Sequence, residues 1–141
     1  MKQLFLALSV MMVPALLSAQ EKLGEFEVHT IKFTGGKYTN EPFTYLILPP
    51  AKVEANKKYP LVLFLHGAGE RGSDPAKNLR MHFPAHMAKP EQRKKFPCFL
   101  VVPQCRNSEM WMHANWGDRK STPLRKEPTD QLAMAISVLE K

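Results

Sequence analysis

A glycine-rich segment with one histidine follows an apolar run near the middle of the chain. Residues 64–74 read FLHGAGERGSD, and they come directly after residues 59–63, YPLVL. Glycine-rich loops at the carboxyl end of a buried strand allow backbone amides to approach a negative charge. Two ligands fit this description: a phosphate that stays bound, and an oxyanion that exists only during a reaction.

The phosphate hypothesis depends on the spacing of Gly67, Gly69 and Gly72, which matches the G-x-G-x-x-G fingerprint of dinucleotide sites. That fingerprint also requires a helix that starts within the glycines and an acidic residue at the end of the next strand. The next apolar run instead ends at Gln104, and Glu70 would bring a carboxylate close to a pyrophosphate. The match is therefore interpreted as coincidental.

The oxyanion hypothesis is supported by a resemblance to a known group of enzymes. The segment HGAGERG (66–72), reached through YPLVLFL and followed by PCFLVVPQC (97–105), resembles secreted α/β-hydrolase esterases. These are grouped with polyhydroxybutyrate depolymerases, feruloyl esterases, and dienelactone hydrolase or prolyl oligopeptidase-like domains. The resemblance covers roughly residues 40–141. It implies a serine-type carboxylic ester hydrolase without a metal or organic cofactor, acting on a small-molecule or polymeric ester.

The resemblance also implies roles for individual residues of the loop. In such esterases the loop after the third strand supplies a backbone amide to the oxyanion hole. Carried over to this chain, Gly67 and Ala68 present the amides, while Gly69 allows the backbone to bend. Such preorganised amides stabilise the tetrahedral intermediate more than the neutral ester. His66 is interpreted as a brace for the loop, and a tight turn without catalytic function is the alternative.

The chain departs from this group of esterases at the nucleophile. The reaction requires a serine in a G-x-S-x-G elbow, followed by an acid and a histidine. Four serines follow Gly67, and none of them lies in such an elbow: Ser73, Ser108, Ser121 and Ser137. His82, His86 and His113 precede the expected position of the elbow. The resemblance therefore implies the amino-terminal part of an α/β-hydrolase sheet, truncated before the nucleophile strand and inactive alone.

Two other groups of residues are candidates for binding. His82 and His86 have the i, i+4 spacing that binds zinc on a helix, but Pro84 between them is expected to break the helix, so no metal site is predicted. Trp111 and Trp116 follow the second buried strand, at the edge where open α/β sheets place their ligands. They are candidates for substrate contacts, and packing that anchors a long loop is the alternative. A non-catalytic secreted module that binds a carbohydrate or an acidic ligand is the second hypothesis for function.

The amino terminus predicts secretion. Residues 1–20 have one charge, at Lys2, and an apolar centre too short for a comfortable membrane span. We interpret residues 1–20 as a signal peptide and residues 21–141 as part of one secreted or periplasmic domain, with no membrane contact after cleavage. The alternative, an uncleaved anchor, is disfavoured by Pro14. The formal net charge of +7 comes from scattered lysines and arginines without interleaved aromatic residues, so nucleic-acid binding is not predicted.

Two cysteines in an oxidising compartment raise the question of a disulfide. Cys98 and Cys105 flank FLVVPQ, which reads as a strand. Seven steps of extended chain span roughly 23 Å, whereas a disulfide tolerates less than about 7 Å between Cα atoms. The two cysteines are therefore predicted not to pair with each other. Cys98 is interpreted as a small buried residue, and Cys105 is left either free or paired outside this chain.

The remaining patterns predict the fold. Residues 25–33 and 43–48 form an antiparallel hairpin, with a bulge or a change of face near His29. Two apolar runs, 60–66 and 96–104, are expected to be strands buried on both faces. Asp74 begins a short helix, and the segment Pro128-Thr129-Asp130 opens a final helix with one apolar face. The residues expected on that face are Leu132, Ala135, Ile136 and Leu139. This order predicts an α/β fold with a hairpin followed by parallel strands and helices.

Overall fold

The protein is described by a computed structural model at residues 20–80, 82–114, 117, 121–123 and 125–141. Its centre is a five-stranded mixed sheet in the order β1-β2-β3-β5-β4. The strands are β1 (Lys22–Leu23), β2 (Phe26–Gly35), β3 (Tyr38–Leu48), β4 (Leu61–Leu63) and β5 (Phe99–Pro103). The pairs β1–β2, β2–β3 and β3–β5 are antiparallel, and β4 pairs with β5 in parallel. The predicted order, a hairpin and then parallel strands, is confirmed.

The helices are short, and each face of the sheet buries an apolar layer. The helices are α1 (His82–Met87), α2 (Pro90–Lys95) and α3 (Asp130–Leu139), with 3₁₀ turns at Ala68–Glu70 and Pro75–Leu79. The layer under α3 contains Ile31, Phe33, Phe43, Tyr45, Val101, Met134 and Val138. The layer under α1 contains Phe26, Leu46, Leu48, Met87, Leu100 and Val102. The middle of the sheet is therefore covered on both faces.

Of the two alternatives predicted near His29, a bulge or a change of face, the structure shows the change of face. Phe26 packs in the layer under α1, whereas Ile31 and Phe33 pack in the layer under α3. Pairing with β3 is regular past His29, and the register shifts only between Phe33 and Gly35. Because successive side chains of a strand alternate between faces, the shift in apolar spacing needs no extra residue when both faces are buried.

The prediction for the strand before the glycine-rich loop is wrong in its extent and its burial. Strand β4 has three residues, and Leu61 is 54% exposed. Among the described residues β4 pairs only with β5, so it lies at an edge of the sheet. An apolar run of this length is typical of a strand covered on both faces. The apolar pattern of this strand therefore predicts more burial than the structure shows.

The apolar face predicted for the last helix is also wrong. Thr129 caps α3 as expected, because its side chain accepts a hydrogen bond from the amide of Leu132 at 3.1 Å. The buried residues of α3 are Gln131, Met134, Ala135 and Val138, of which only Ala135 was predicted. Ile136 is 42% exposed. The observed face is rotated from the predicted one and includes the polar Gln131, whose side-chain oxygen accepts a hydrogen bond from the amide of Arg106 at 3.0 Å.

The start predicted at Asp74 is confirmed, as a 3₁₀ turn rather than as an α-helix. The side chain of Asp74 accepts a hydrogen bond from the amide of Ala76 at 2.9 Å, and Pro75 is the first residue of the turn. The predicted signal peptide lies outside the described residues except for Gln20. Within the described ranges, every helix is too short or too polar to cross a membrane.

Candidate functional site

The glycine-rich loop lies at the carboxyl end of β4, beside the end of β5. Gly67, Ala68 and Gly69 are exposed, and Ala68 begins a 3₁₀ turn that ends at Glu70. Throughout the described part of the chain, no acceptor receives a hydrogen bond from the backbone amides of Gly67 or Ala68. Unpaired amides at the surface remain available to bind a negatively charged or carbonyl oxygen.

Both ends of the loop are attached to the backbone of one buried residue, Cys105. The amide of Cys105 donates to Nε2 of His66 at 3.0 Å, and the amide of Gly72 donates to the carbonyl oxygen of Cys105 at 2.9 Å. The side chain of Cys105 is fully buried. Sequence analysis missed this role because backbone groups do it, and every non-proline residue has them. The available signal was the position of Cys105 directly after the apolar run 96–104.

The side chain of His66 is buried and uses both ring nitrogens to hold backbone groups. Because Nε2 accepts from the amide of Cys105, the proton of the neutral ring is on Nδ1, which donates to the carbonyl oxygen of Gly67 at 2.8 Å. Burial lowers the pKa of His66 below its ordinary value of 6.5, and the hydrogen bond to Gly67 opposes this change. In this arrangement His66 has no free nitrogen for proton transfer.

Acid is expected to destabilise the protein through His66. Its pKa in the folded state lies below the ordinary value of 6.5, so the unfolded chain takes up a proton first as the pH falls. The contribution of His66 is complete above about pH 6.5 and is lost between that pH and the folded pKa. Urea unfolding at pH 7.5 and 5.5 measures the loss. The free energy of unfolding should differ less between the two pH values in His66→Gln than in the unchanged protein. An equal difference in both proteins would refute this account.

Only one of the three glycines in the loop has a backbone conformation that favours glycine. Gly72 has a φ of +133°, whereas Gly69 lies outside the left-handed region and a Cβ atom there would meet no atom within 4 Å. The interpretation that Gly69 allows the backbone to bend is therefore wrong for this structure. The sharp change of direction occurs at Gly72, where the chain leaves the loop and its amide bonds to Cys105.

Substituting the two glycines by alanine is expected to give different losses of stability. Gly72→Ala places a side chain at a strained φ and should lower the free energy of unfolding by about 1–3 kcal/mol. Gly69→Ala should change it by less than about 0.5 kcal/mol, as is usual for exposed positions. Urea unfolding of both variants checks the contrast. Equal losses would mean that the loop does not turn at Gly72.

The charges around the loop argue against a permanently bound phosphate. The carboxylate of Glu70 reaches toward Gly67, because its Oε2 lies 3.1 Å from the point that a Cβ atom on Gly67 would occupy. Glu70 raises the pKa of His66 and Arg71 lowers it, so the two side chains act with opposite signs on the same place. A carboxylate so close to Gly67 repels a permanently bound, doubly charged phosphate more than an oxygen that carries one charge briefly.

Trp111 stabilises the loop through a hydrogen bond and a ring contact. Its ring nitrogen donates to the carbonyl oxygen of His66 at 2.9 Å, and the two rings meet edge to face at 5.2 Å. Thr129 in turn donates its hydroxyl hydrogen to the carbonyl oxygen of Trp111 at 2.9 Å. Trp111 also lines a cavity of about 290 Å³ beside α3, so a substrate contact there stays a prediction. Trp116, the other predicted tryptophan, lies outside the described residues.

The helix that carries the two histidines is intact, contrary to expectation. Pro84 lies in the first turn of α1, where the missing amide hydrogen has no intrahelical partner to lose. Its carbonyl oxygen accepts from the amide of Ala88 at 3.0 Å. Within the described ranges, no three histidine, cysteine or acidic side chains come together to hold a metal ion.

The two cysteines are unpaired, as the length of the strand between them predicts. Cys98, which was predicted to be buried, is only half-buried, whereas Cys105 is fully buried. Burial raises the pKa of Cys105 to about 11 and also raises the pKa of Cys98. Both residues are therefore thiols at neutral pH rather than reactive thiolates.

Comparison with known proteins finds similarity to a solved structure. No protein-family model matches the chain, and no curated protein matches it. The crystal structure of a thermostable esterase is 32% identical in sequence, with a TM-score of 0.64. The match covers 82% of this chain and 29% of the esterase chain. The described sheet, antiparallel and then parallel with few helices, therefore has an esterase-like α/β-hydrolase fold over a part of such an enzyme's length.

Proposed function

We propose that this chain forms the oxyanion-hole part of a serine-type carboxylic ester hydrolase. The observation that carries the proposal is the pair of exposed, unpaired amides at Gly67 and Ala68, on a loop attached at both ends to Cys105. The similarity to a thermostable esterase supports ester chemistry at this loop rather than phosphate binding.

The amides act on the charge that develops during the reaction. Attack of a serine hydroxyl on the ester carbonyl moves an electron pair onto the carbonyl oxygen, while a histidine accepts the hydroxyl proton. The amide of Ala68, with that of Gly67 beside it, donates to the resulting oxyanion. The serine, the histidine and its acid are supplied by sequence outside these 141 residues, because no G-x-S-x-G occurs within them. No metal or organic cofactor enters these steps.

The ester is a small molecule or a polymer, and the enzyme acts outside the cytoplasm. The location follows from the signal-peptide pattern of residues 1–20. The competing hypothesis, a secreted module that holds a carbohydrate or an acidic ligand with the loop and the tryptophans, gains no support from Trp111. Its ring nitrogen is already bonded to His66, and its ring packs against the apolar layer under α3.

The test is to sequence the gene beyond the codon for Lys141 and to assay the complete product with p-nitrophenyl esters. A G-x-S-x-G elbow is expected within roughly 10 to 25 codons, after one more apolar strand. Hydrolysis should be abolished by an organophosphonate that reacts with the active-site serine. A complete, folded product that hydrolyses no ester would refute the proposed function.

A further inference from the structure

The loop is held at a third point, between its two ends, by the side chain of Gln104. Gln104 directly follows β5 and is 3% exposed. Its Nε2 donates to the carbonyl oxygen of Glu70 at 2.6 Å and, more weakly, to that of Cys105 at 3.4 Å. Its Oε1 accepts from Nδ2 of Asn78 at 2.6 Å. Both ends of the buried amide are therefore bonded.

The hydrogen bond from Gln104 acts on the Gly67 and Ala68 amides through the carbonyl oxygen of Glu70. Glu70 is the last residue of the 3₁₀ turn that Ala68 begins, so the two residues move together. The turn has no buried residue, and the hydrogen bond that closes it, from the amide of Arg71 to the carbonyl oxygen of Ala68, is long at 3.5 Å. A turn with so little internal support takes its orientation from what it is attached to.

Asn78 fixes the other side of Gln104. It is 2% exposed, and it belongs to the 3₁₀ turn Pro75–Leu79 that follows the loop. Burying two side-chain amides costs free energy unless their hydrogen bonds are made, and an apolar side chain of similar size avoids that cost. The bond from Gln104 to Glu70 thus specifies the geometry of the loop at a position where simple packing would have sufficed for stability.

We propose that Gln104 is a positioning residue, which fixes the orientation of the Ala68 and Gly67 amides through the carbonyl oxygen of Glu70. The inference rests on the proposed function for its catalytic consequence, although the orientation itself does not require hydrolysis. Gln104 touches no reacting atom, and it acts on the oxyanion only through the 3₁₀ turn.

The chain contains a matched control, Gln131. This residue is also a fully buried glutamine in a hydrogen-bonded network, in which it accepts from the amide of Arg106 at 3.0 Å and donates to the hydroxyl of Tyr38 at 3.1 Å. Replacement by methionine keeps the length of either side chain and removes its hydrogen bonds. Gln104→Met and Gln131→Met should therefore lose similar stability, and only Gln104→Met removes a hydrogen bond to the 3₁₀ turn that Ala68 begins.

The first readout is the amide resonances of Gly67 and Ala68 in the complete gene product. Gln104→Met should shift both resonances and lower their heteronuclear NOE, whereas Gln131→Met should leave them in place. This measurement decides the positioning role even if the protein hydrolyses no ester, so the two proposals can fail separately. Unchanged resonances in Gln104→Met, or equal changes in both variants, would overturn the inference.

The second readout is steady-state hydrolysis of a p-nitrophenyl ester. A misplacement of about 1 Å costs up to about 100-fold in rate, so Gln104→Met is expected to lower kcat about tenfold with little change in KM. Gln131→Met should retain kcat within about twofold, because Gln131 bonds to Arg106 and Tyr38 and makes no hydrogen bond to the 3₁₀ turn that begins at Ala68. It reaches the loop only at the far end, through the Cys105–Arg106 peptide that accepts from Gly72. If the resonances move in Gln104→Met but kcat does not, the amides are positioned by Gln104 without serving the reaction.

Discussion

Ala68→Pro is expected to lower the kcat of the proposed complete hydrolase about 100- to 1000-fold, the usual loss when one oxyanion-hole donor is removed. The structure indicates that proline fits this position. Ala68 is the first residue of a 3₁₀ turn, and the preceding Gly67 is extended, with φ −80° and ψ −174°. Proline is tolerated at the start of a helical turn, and the residue before it is normally extended. The substitution therefore removes the amide hydrogen without breaking a hydrogen bond among the described residues.

The control for this variant is Ala68→Ser, which changes the side chain and keeps the amide. It should retain kcat within a few-fold, because the amide and not the methyl group serves the reaction. KM should change little in Ala68→Pro, since the bond is stronger in the transition state than in the bound ester. A folded Ala68→Pro protein with a normal kcat would show that Ala68 is not an oxyanion donor.

Leu100→Ala is expected to lower the free energy of unfolding of the 141-residue chain by about 2–5 kcal/mol, the range for a buried leucine reduced to alanine. Leu100 is fully buried in β5, between β3 and β4, where it pairs with Leu48 on one side and Val62 on the other. The loss combines the transfer of apolar atoms to a cavity with the contacts that neighbouring side chains no longer make. Urea unfolding with a constant m-value measures it.

The matched control is Leu61→Ala in the strand next to β5. Leu61 is 54% exposed because β4 lies at the edge of the sheet, so its loss should be less than about 1 kcal/mol. Similar losses at Leu61 and Leu100 in this chain would mean that β4 is covered, and the strand order given above would be wrong.

Local patterns predicted the elements that local interactions determine. The hairpin of β2 and β3 follows from apolar residues that alternate along each strand, such as Ile31 and Phe33, which are both buried. The starts at Asp74 and Thr129 were also found, because a capping side chain bonds to an amide two or three residues away. Such interactions are visible in a few consecutive residues.

Features that depend on distant neighbours could not be predicted in the same way. Ile136 and Met134 are both apolar, and only the position of the sheet decides that Met134 is buried and Ile136 is exposed. The burial of Gln131 depends on Arg106 and Tyr38, both of which are remote in sequence. The edge position of β4 similarly depends on which strands pair with it rather than on its own composition.

In the candidate site, too, local patterns were predicted and contacts between distant residues were not. The resemblance of HGAGERG to esterase loops selected Gly67 and Ala68, and the structure places both at the surface beside the end of β5. It could not indicate that Gly72 rather than Gly69 turns the chain, because both residues are glycines and only their φ angles differ. The attachment of the loop to Cys105 could not be predicted from residue types, because it uses the backbone of Cys105.

The most direct test of the central claim is the amide proton shifts of Gly67 and Ala68 in the complete hydrolase after reaction with an alkyl phosphonate. The tetrahedral adduct on the catalytic serine places a negatively charged oxygen where the oxyanion forms. We predict that the Ala68 amide proton moves strongly downfield, that of Gly67 moves in the same direction, and that of Gly69 changes little. If neither Gly67 nor Ala68 responds while the serine is fully modified, the loop does not form the oxyanion hole.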